Sequence, residues 1–300
     1  MTTVPSLSGA VANAAHRAEV LVEALPYIQR FRDAVVVVKY GGNAMVDPAL
    51  SRAVAADVVL LRAVGLRPVV VHGGGPQISE LMARLGKQPE FRQGLRVTDA
   101  ETVDIARMVL AGKVNRDIVA AINVHGPIAV GLSGEDAGLI LASAHRPDLG
   151  FVGEVAAVNP GILHKLLAED LIPVVSTIGS DADGQAYNIN ADTVAGALAE
   201  ALEAEKAVFL TDVAGLLTDV DDPGSLISHI TAAGLEAMIE RGDLTGGMIP
   251  KVAAALHAVR HGVGSVHLLD GREPHVVLVE LFSDAGIGTM ITDDRQGGAL

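Results

Sequence analysis

The strongest constraint on the fold is a pair of apolar, β-branched runs that each end in glycine. Residues 35–39 lead to Gly41 and Gly42, and residues 68–72 lead to three glycines at 73–75. Each run suits a strand that is buried on both faces, and a strand ending in glycine at a helix start exposes backbone N–H groups that bind phosphate oxygens. Ordinary strand-to-helix turns explain either junction alone. The two junctions together, with a lysine at the end of the first run, predict a site for an anionic group between two loops.

Strand-like and helix-like segments alternate along the rest of the chain. Strands are predicted at residues 34–39, 68–72, 128–132, 172–177, 207–211, 265–269 and 276–280. Helices are predicted at residues 48–63, 78–85, 100–123, 191–203 and 249–260, while residues 90–94 and 143–159 are candidates for hairpins or a lid. The alternation predicts an α/β fold with a mainly parallel sheet and helices on both faces. The chain forms one domain or two lobes, which share a sheet or meet near residue 204.

The composition excludes several functional classes. Half of the 300 residues are hydrophobic, which is ample for a large core, and the absence of cysteine rules out disulfides and thiolate zinc sites. A net charge of −14 opposes binding to nucleic acids or anionic membranes, and the low aromatic content disfavours stacked single-stranded nucleic acid. No apolar run approaches the roughly 20 residues that span a bilayer. The first 15 residues lack basic side chains, unlike a signal peptide, so we expect a cytoplasmic protein.

An amphipathic helix is predicted at residues 16–31, before the first strand. Its apolar residues recur at helical spacing and are Ala18, Leu21, Val22, Leu25 and Ile28. Pro26 is expected to kink or divide this helix. The helix packs on its own domain or serves as an arm exchanged with another subunit, and the spacing does not choose between the two.

Several familiar motifs are absent or incomplete. The chain has no Gly-x-x-x-x-Gly-Lys-Ser/Thr, and no Gly-x-Gly-x-x-Gly follows the first strand. Residues 72–75 resemble the oxyanion-hole stretch of some esterases, but Ser133 lacks the Gly-x-Ser-x-Gly spacing that those enzymes need. The histidines are interpreted as scattered, with no His-x-x-x-His pair facing a carboxylate, so no metal held by protein ligands is expected. The acidic pairs at 221–222 and 293–294 are interpreted as solvated turns.

Three further polar segments could contribute to a site. One contains Asn188, Asn190 and Asp192, where capping of the next helix and ligand binding are alternative roles. Residues 210–216 lie at a strand end, where α/β sheets bind ligands. Residues 244–251 place glycines before a helix with a lysine in its first turn. A cation at that position opposes the helix dipole and indicates a nearby anion.

In their order along the chain, these motifs closely resemble the acetylglutamate kinases of the amino-acid kinase family. The motifs are Lys39-x-Gly41-Gly42, residues 72–77, Gly94-Leu-Arg96-Val-Thr98, Asn188-x-Asn190-Ala-Asp192, Thr211-Asp212-Val-x-Gly215 and Gly246-Gly247-Met-x-x-Lys251. The resemblance runs from about residue 31 to the end. It implies a three-layer αβα sandwich and ATP-dependent phosphorylation of the side-chain carboxylate of N-acetyl-L-glutamate, in arginine biosynthesis. It further implies an oligomerisation segment at residues 1–31, an amino-acid lobe at 32–204 and a nucleotide and effector lobe at 205–300.

The resemblance also implies residue roles. Lys39 and Lys251 flank the transferred phosphoryl group, Gly42 and Gly74 donate N–H groups to its oxygens, and Asp192 positions the two lysines. The residues implied to hold acetylglutamate are Gly74, Gly75, Arg96 and Asn188, with Asn190 beside them. The residues implied to bind the nucleotide are Gly41, Thr211, Asp212, Val213, Gly215, Leu216, Gly246, Gly247 and Lys251. ATP is expected to arrive with Mg²⁺, which phosphates and water hold.

The resemblance extends to the arginine-inhibited members, in which an extra N-terminal helix links dimers into hexamers. His267, Glu280 and Gly286 lie in segments that are similar to their arginine-binding region, and Tyr27 is a candidate to close over Glu280. L-Arginine is therefore the expected inhibitor, and a hexamer built as a trimer of dimers is the expected assembly. A PII-type signalling protein is a further candidate partner. A structural salt bridge or a turn explains each effector motif as an alternative.

Two other functions stay open. The first is a related kinase that acts on a different acid, such as an aminoadipate derivative on a carrier protein. The second is an arginine sensor that binds ATP and amino acid without turnover. The presence of both Lys39 and Lys251 argues against a sensor. Arg96 and Asn188 argue against the more distant aspartate, glutamate, carbamate and uridylate kinases.

Overall fold

A computed structural model describes residues 7–92, 94–219, 221–244, 246–283 and 286–294. The helices are α1 (Leu7–Arg30), α2 (Pro48–Ala63), α3 (Gly75–Arg84), α4 (Ala100–Arg107), α5 (Asn115–Asn123), α6 (Gly161–Ala168), α7 (Ala191–Ala201), α8 (Ala232–Arg241), α9 (Met248–Arg260) and α10 (Val276–Phe282). A π-helical segment, Met108–Val114, joins α4 to α5. None of the helices within the described residues is long and apolar enough to cross a membrane.

The strands complete the alternation that the sequence predicts. They are β1 (Val35–Tyr40), β2 (Arg67–His72), β3 (Phe91–Arg92), β4 (Leu95–Arg96), β5 (Ala129–Ser133), β6 (Ile140–Ala144), β7 (Val152–Val158), β8 (Ile172–Ser176), β9 (Ile178–Ser180), β10 (Ala186–Ile189), β11 (Lys206–Thr211), β12 (His229–Thr231), β13 (Ser265–Asp270) and β14 (Thr289–Thr292).

One eight-stranded sheet runs through the molecule in the order β12-β14-β13-β11-β1-β2-β8-β5. Adjacent strands of this sheet are parallel, except β13 and β14, which pair antiparallel. Val38 of β1 lies between Val70 and Val208, so that segments from both sides of residue 204 pair with the same strand. The mainly parallel sheet is therefore confirmed, and it is continuous. The division into two functional lobes stays a prediction.

Apolar layers cover both faces of this sheet. Along β1, Val36 and Val38 pack into a layer with residues of α2, α5 and α10. Val37, which points to the other face, packs with residues of α6, α7 and α9. The alternation of these buried side chains on one strand explains why the fold has three layers, helix on sheet on helix, as predicted.

The two interruptions of the pattern form smaller β-structures. Residues 90–94 fall in the β3–β4 hairpin, and residues 143–159 contain the end of β6 and all of β7, an antiparallel pair. Strands β6, β7, β9 and β10 close into a small barrel beside the main sheet. The hairpin prediction is therefore confirmed for both segments.

One strand prediction is wrong. Residues 276–280 form most of helix α10 rather than a strand. A short apolar run fits a buried helix as well as a strand, and here Val276, Val277 and Leu281 are buried at helical spacing. The strand of this region is β14, which follows at Thr289. Pro26 lies inside α1, so it does not divide the N-terminal helix, and a kink at this residue stays a prediction.

The acidic pair at 293–294 is also not a solvated turn. Arg260 of α9 donates hydrogen bonds to both Asp293 and Asp294, at 2.9 and 2.6 Å. Asp294 further accepts from the backbone N–H of Ala233 at the start of α8. These contacts fasten the end of the described chain to two helices. Asp222, in contrast, accepts from the N–H of Gly224 in an exposed turn, as the sequence suggests.

A buried pair of polar residues fixes the end of β2. His72 is fully buried, and its ring lies 3.1 Å from the Nδ2 atom of Asn115 at the start of α5. Arg116 donates to Oδ1 of Asn115, which orients the amide so that Nδ2 donates to Nε2 of His72. Nδ1 of His72 then carries the proton and donates to the carbonyl of Gly73 at 2.9 Å. The imidazole therefore holds the glycine turn after β2 in place.

The neutral state of His72 gives a pH prediction. Burial lowers the pKa of His72 to about 4 from its usual value of 6.5. Unfolding restores the higher value, so the contribution of this ring to stability is complete above pH 6.5 and is lost as the pH falls toward 4. In NMR spectra of histidine-labelled protein, the His72 signals should not shift between pH 7 and pH 5.

The same titration in urea supplies the control, because every imidazole should then change near its ordinary pKa. A His72 signal that titrates above pH 6 in the folded protein would contradict the lowered pKa of this ring. NMR reports on the His72 ring alone. The overall stability also depends on Asp57, because burial raises the pKa of that carboxyl to about 6.

Candidate active site

The carboxyl ends of three neighbouring strands meet at one edge of the sheet. Lys39 lies near the end of β1, His72 ends β2 and Thr211 ends β11, and the three strands run parallel. In open α/β sheets this edge is where ligands bind. Most of the site residues predicted from the sequence lie at this edge or on the helices that start beside it.

A buried carboxylate joins two lysines at this edge. Oδ1 of Asp192, in the first turn of α7, lies 3.0 Å from Nζ of Lys39, and Oδ2 lies 3.1 Å from Nζ of Lys251, in the first turn of α9. The side chains of Lys39 and Asp192 are only 8% and 6% exposed. The contact with Lys251 is a hydrogen bond, whereas the contact with Lys39 is an ion pair without hydrogen-bond geometry. The structure thus brings together three residues that are far apart in the sequence.

The charges of this triad depend on one another. Burial alone would raise the pKa of Asp192, but the two lysines beside it hold the pKa below its usual value. Burial lowers the pKa of Lys39, and the nearby charge of Lys251 lowers it further, while Asp192 opposes both effects. With both lysines protonated, the group carries two positive charges for one negative charge, and the excess would attract an anion.

The glycines of the first loop are required by close packing. Gly42 has φ +67°, and a Cβ atom on it would lie 2.5 Å from Oδ1 of Asp212. This approach places Asp212, a predicted nucleotide residue at the end of β11, directly against the loop after β1. Gly41 packs on the Lys39 side chain, since a Cβ atom there would lie 3.0 Å from Nζ.

Two helices begin at this edge without a side-chain cap. Gly74 is the N-cap of α3 and Gly247 is the N-cap of α9, and neither helix start receives a hydrogen bond from a capping side chain. A Cβ atom on Gly74 would lie 2.6 Å from Cδ2 of Leu110, so any larger residue would displace this side chain of the π-helical segment. The N–H groups of an uncapped helix start favour an anion. Gly75, the first residue of α3, and Gly246 have free space around the Cα atom.

Arg96 is a buried cation near the glycines of α3. Its side chain donates 2.8 Å hydrogen bonds to the carbonyl of Gly75 and to Oγ of Ser79, and its guanidinium lies 4.7 Å from the ring centroid of Phe91. The residue is 6% exposed, and burial lowers its pKa. Among the described residues, no carboxylate forms an ion pair with Arg96. Uncompensated buried charge is costly, which indicates that an anionic ligand completes this site.

The two asparagines lie in different elements. Asn190 is the N-cap of α7, where its Oδ1 accepts from the N–H groups of Asp192 and Thr193 at 2.8 and 3.2 Å. The capping alternative is therefore confirmed for Asn190, and the cap also fixes the position of Asp192. Asn188 lies one residue before the end of β10, opposite Val152 of β7. Its side chain is half-buried, and its role in substrate binding stays a prediction.

Five of the nucleotide candidates lie at the end of β11 and in the loop after it. The hydroxyl of Thr211 donates a hydrogen bond to the carbonyl of Val213 and accepts one from the N–H of Val213, which closes a tight turn. Asp212 and Val213 are exposed, while Leu216 is buried and donates its N–H to Oγ of Thr289. Gly215 packs against the same threonine, since a Cβ atom on it would lie 2.5 Å from that hydroxyl. Exposed positions at the turn and a fixed base make this loop suitable for contact with a ligand.

The effector candidates form a second polar cluster away from this edge. Nδ1 of His267 lies 2.7 Å from Oε1 of Glu280, and Oε2 of Glu280 accepts from the N–H groups of Ile287 and Gly288. A Cβ atom on Gly286 would lie 3.3 Å from the same carboxylate oxygen. The structure therefore brings His267, Glu280 and Gly286 together. Burial lowers the pKa of His267, so its contact with Glu280 at neutral pH is a hydrogen bond from a neutral ring, and a structural role for these contacts stays an alternative.

A lysine that the sequence did not indicate completes this cluster. Nζ of Lys206 lies 3.1 Å from Nε2 of His267 and 4.9 Å from the ring centroid of Phe31, which follows α1. Burial lowers the pKa of Lys206 to about 8. Burial alone would raise the pKa of Glu280, but the hydrogen bond from His267 and two backbone donors hold it below its usual value. Tyr27 is half-buried and packs on the core layer that contains Phe31.

Two further features, one polar residue and one histidine pair, were not predicted from the sequence. Asn115 lies in a long helical run without a motif, so only the structure shows that it positions His72. The expectation that no His-x-x-x-His pair faces a carboxylate is wrong, because His257 and His261 lie on one face of the end of α9, beside Glu200 of α7. Their four-residue spacing was present in the sequence as a detectable signal.

Comparisons with known proteins agree with this architecture. The model of the amino acid kinase family matches residues 34–270. The acetylglutamate kinase of Saccharopolyspora erythraea is 55% identical over 304 residues, which cover 99% of both chains. The acetylglutamate kinase of Methanocaldococcus jannaschii is 52% identical and covers 93% of this chain and 97% of its own.

Solved structures show the same fold. The N-acetylglutamate synthase of Neisseria gonorrhoeae, complexed with coenzyme A and N-acetyl-glutamate, has a TM-score of 0.80 at 27% identity and covers 92% of this chain, which spans 63% of the synthase. The same synthase complexed with coenzyme A and L-arginine has a TM-score of 0.77 at 25% identity, covering 92% of this chain and 65% of its own. Carbamate kinase from Giardia lamblia, bound to AMP-PNP, has a TM-score of 0.64 at 18% identity, covering 87% and 99% of the two chains, and supports the fold alone. With a family match over most of the sheet and relatives more than half identical over nearly the whole length, the chain belongs to the amino acid kinase family.

Proposed function

We propose that this chain transfers the γ-phosphoryl group of ATP to the side-chain carboxylate of N-acetyl-L-glutamate, in arginine biosynthesis. The observation that carries the proposal is Asp192 held between Lys39 and Lys251, at a strand edge where two uncapped helices begin. Relatives named acetylglutamate kinase, with more than half of their residues identical, support the choice of substrate.

The reaction needs positioning and charge rather than proton transfer. An oxygen of the ionised carboxylate attacks the γ-phosphorus, the bond from that phosphorus to the β,γ-bridging oxygen breaks, and ADP leaves with the electron pair. The product is an acyl phosphate, and the total charge is unchanged without any proton. Stabilising the transferred phosphoryl group therefore depends on fixed cations and N–H donors. We assign these roles to Lys39 and Lys251, with the N–H groups of Gly42 and Gly74.

Asp192 positions the two lysines and has no role as a base. Both of its oxygens face ammonium groups, so the two cations are held at fixed positions before the substrates bind. This carboxylate already faces two cations, whose positive charge disfavours a metal ion at the same position. Mg²⁺ is therefore proposed to arrive with ATP, bound by phosphate oxygens and water, and to neutralise phosphate charge.

We assign the α-carboxylate of acetylglutamate to Arg96. The guanidinium is buried, lies beside Gly75 at the start of α3 and has no paired carboxylate among the described residues. A planar fork binds a carboxylate through two parallel hydrogen bonds, which a lysine does not reproduce. Asn188 is proposed to contact the polar groups of the same substrate, since an amide both donates and accepts.

The first prediction from this proposal concerns turnover. Acyl-phosphate formation, trapped as hydroxamate, should require ATP and N-acetyl-L-glutamate and should not occur with glutamate, aspartate or 2-aminoadipate. Lys39→Ala should lower kcat by about a hundredfold or more, since it removes a transition-state cation, while acetylglutamate still binds. Lys113→Ala, at an exposed lysine, serves as the control.

Two results would contradict this proposal. Equal kcat values for Lys39→Ala and the unaltered protein would remove Lys39 from catalysis. Folded protein that binds ATP but phosphorylates none of the four acids would favour a carrier-linked substrate or a sensor.

The second prediction concerns substrate recognition. Arg96→Lys keeps the charge but loses the fork, so the KM for acetylglutamate should rise by about tenfold or more, while the KM for ATP changes little. Arg92→Lys, an exposed arginine in the neighbouring strand β3, should leave both values unchanged. An unaltered KM for acetylglutamate in Arg96→Lys would show that another residue binds the α-carboxylate.

We further propose that L-arginine inhibits the enzyme at the cluster of Lys206, His267 and Glu280. The buried Glu280 carboxylate, with a pKa below its usual value, offers a negative charge to a guanidinium or an α-amino group. The synthase from Neisseria gonorrhoeae, which shares the fold, has been solved with L-arginine. The end of α1 touches this cluster through Phe31, which suggests that the helix responds to arginine.

The third prediction tests this effector site. Glu280→Gln should raise the arginine concentration for half-inhibition by about tenfold or more, because a buried charge partner is lost, while the uninhibited rate is largely retained. Glu273→Gln, at an exposed glutamate just before α10, is the matched control. The same arginine sensitivity in Glu280→Gln and in the unaltered protein would exclude Glu280 from the effector site.

We also propose that α1 links subunits into a hexamer. Among the side chains of α1 that the structure describes, several apolar ones face solvent in the single chain, and Leu21 and Val22 are 71% and 68% exposed. An exposed apolar stripe on a helix favours a protein partner. A PII-type partner stays a prediction from the resemblance.

A further inference from the structure

Helices α7 and α9 pack side by side and are connected at both ends. At their first turns, Asp192 of α7 contacts Lys251 of α9 at 3.1 Å. At their last turns, Oε2 of Glu200 of α7 lies 3.3 Å from Nε2 of His257 of α9. The two helices therefore run parallel, with the buried triad at one end and an exposed polar contact at the other.

A second histidine joins the exposed contact. His261 follows His257 by four residues, which places both rings on the same face of α9, with centroids 3.9 Å apart. One nitrogen of each ring and one oxygen of Glu200 lie within 4.8 Å of one another. Among the described residues, this is the group of three or more histidine and acidic side chains that is compact enough to bind one metal ion.

The hydrogen bonding of His261 prepares its ring for a metal. Nδ1 of His261 lies 2.7 Å from the carbonyl oxygen of His257, so that Nδ1 carries the proton and donates. The lone pair of the neutral ring is then on Nε2. A histidine that donates its other N–H to a backbone carbonyl is typical of metal ligands, because that bond fixes the tautomer and the ring orientation.

The cation next to these histidines in the sequence, Arg260, does not occupy the position proposed below for a metal ion. Arg260, between the two histidines in sequence, donates to Glu236, Asp293 and Asp294 on the side of α8. Its charge is thereby compensated by three carboxylates. The net charge of −14 on the whole chain further favours a cation at an exposed site.

We propose that Glu200, His257 and His261 form a surface site for a late first-row divalent metal ion, with Zn²⁺ as the representative ion. Two imidazoles and one carboxylate are a usual set of three protein ligands for zinc, with water in the fourth position. Cu²⁺ and Ni²⁺ suit the same donors, whereas Mg²⁺ prefers oxygen ligands in an octahedral arrangement. Bound metal would fasten the last turn of α7 to the last turn of α9, while Asp192 fastens the first turns.

Zinc titration of untagged, chelator-stripped protein tests the site. Isothermal titration calorimetry should show one zinc ion per chain, in the presence of excess Mg²⁺. His257→Gln and His261→Gln should each weaken the binding by about tenfold or more, since even changes to groups behind the ligands often cost that much. His164→Gln, an exposed histidine on α6, is the control and should leave binding unchanged. The absence of cysteine removes thiolate sites from the measurement.

Thermal unfolding provides a second readout that does not depend on catalysis. Zinc should raise the Tm of the unaltered protein and of His164→Gln, because a ligand that binds the folded state stabilises it. It should not raise the Tm of the double variant His257→Gln/His261→Gln. Zinc affinity that is the same in the double variant, or no binding to the unaltered protein, would overturn the proposal and leave Glu200 and His257 as an ordinary surface ion pair.

Discussion

The buried carboxylate of Asp192 is the interaction on which the rest of the site depends. It connects Lys39 on β1 with Lys251 on α9, and it lies at the start of α7 because Asn190 caps that helix. Breaking a buried ion pair by removing one partner typically costs about 3–5 kcal/mol, since the remaining charge stays unpaired. The residue that positions the two cations therefore also holds together a strand and two helices.

This arrangement resolves a conflict between the whole chain and its ligands. The protein has a net charge of −14, yet the proposed substrates are anions. The bound anions meet a local excess of positive charge from two lysines, a buried arginine and the N-terminal ends of two helices. Because the lysines and Arg96 are largely removed from water, their fields are screened less than those of surface charges. A small enclosed positive region can therefore outweigh a negative surface.

The sequence was informative where local pattern and chemistry coincide. Six of the predicted strands exist because continuous β-branched runs suit a sheet that is covered on both faces. It was less informative where packing decides: the run at residues 276–280 fits a strand or a helix, and its burial against α2 and α1 selects the helix. Asn115 and Lys206 belong to no motif, and their roles depend on partners distant in the sequence. The pair of His257 and His261 was visible in the sequence, but the facing Glu200 becomes apparent only when α7 and α9 pack together.

The central position of β1 has a consequence for synthesis on the ribosome. One edge of β1 pairs with β2, which follows closely, but the other edge pairs with β11, where Val36 faces Lys206. While the chain is being made, that second edge stays without its native partner until two thirds of the protein has been synthesised. An open edge of buried valines is a template for unwanted pairing. In the native fold this edge of β1 is protected only once β11 has been made and has paired with it.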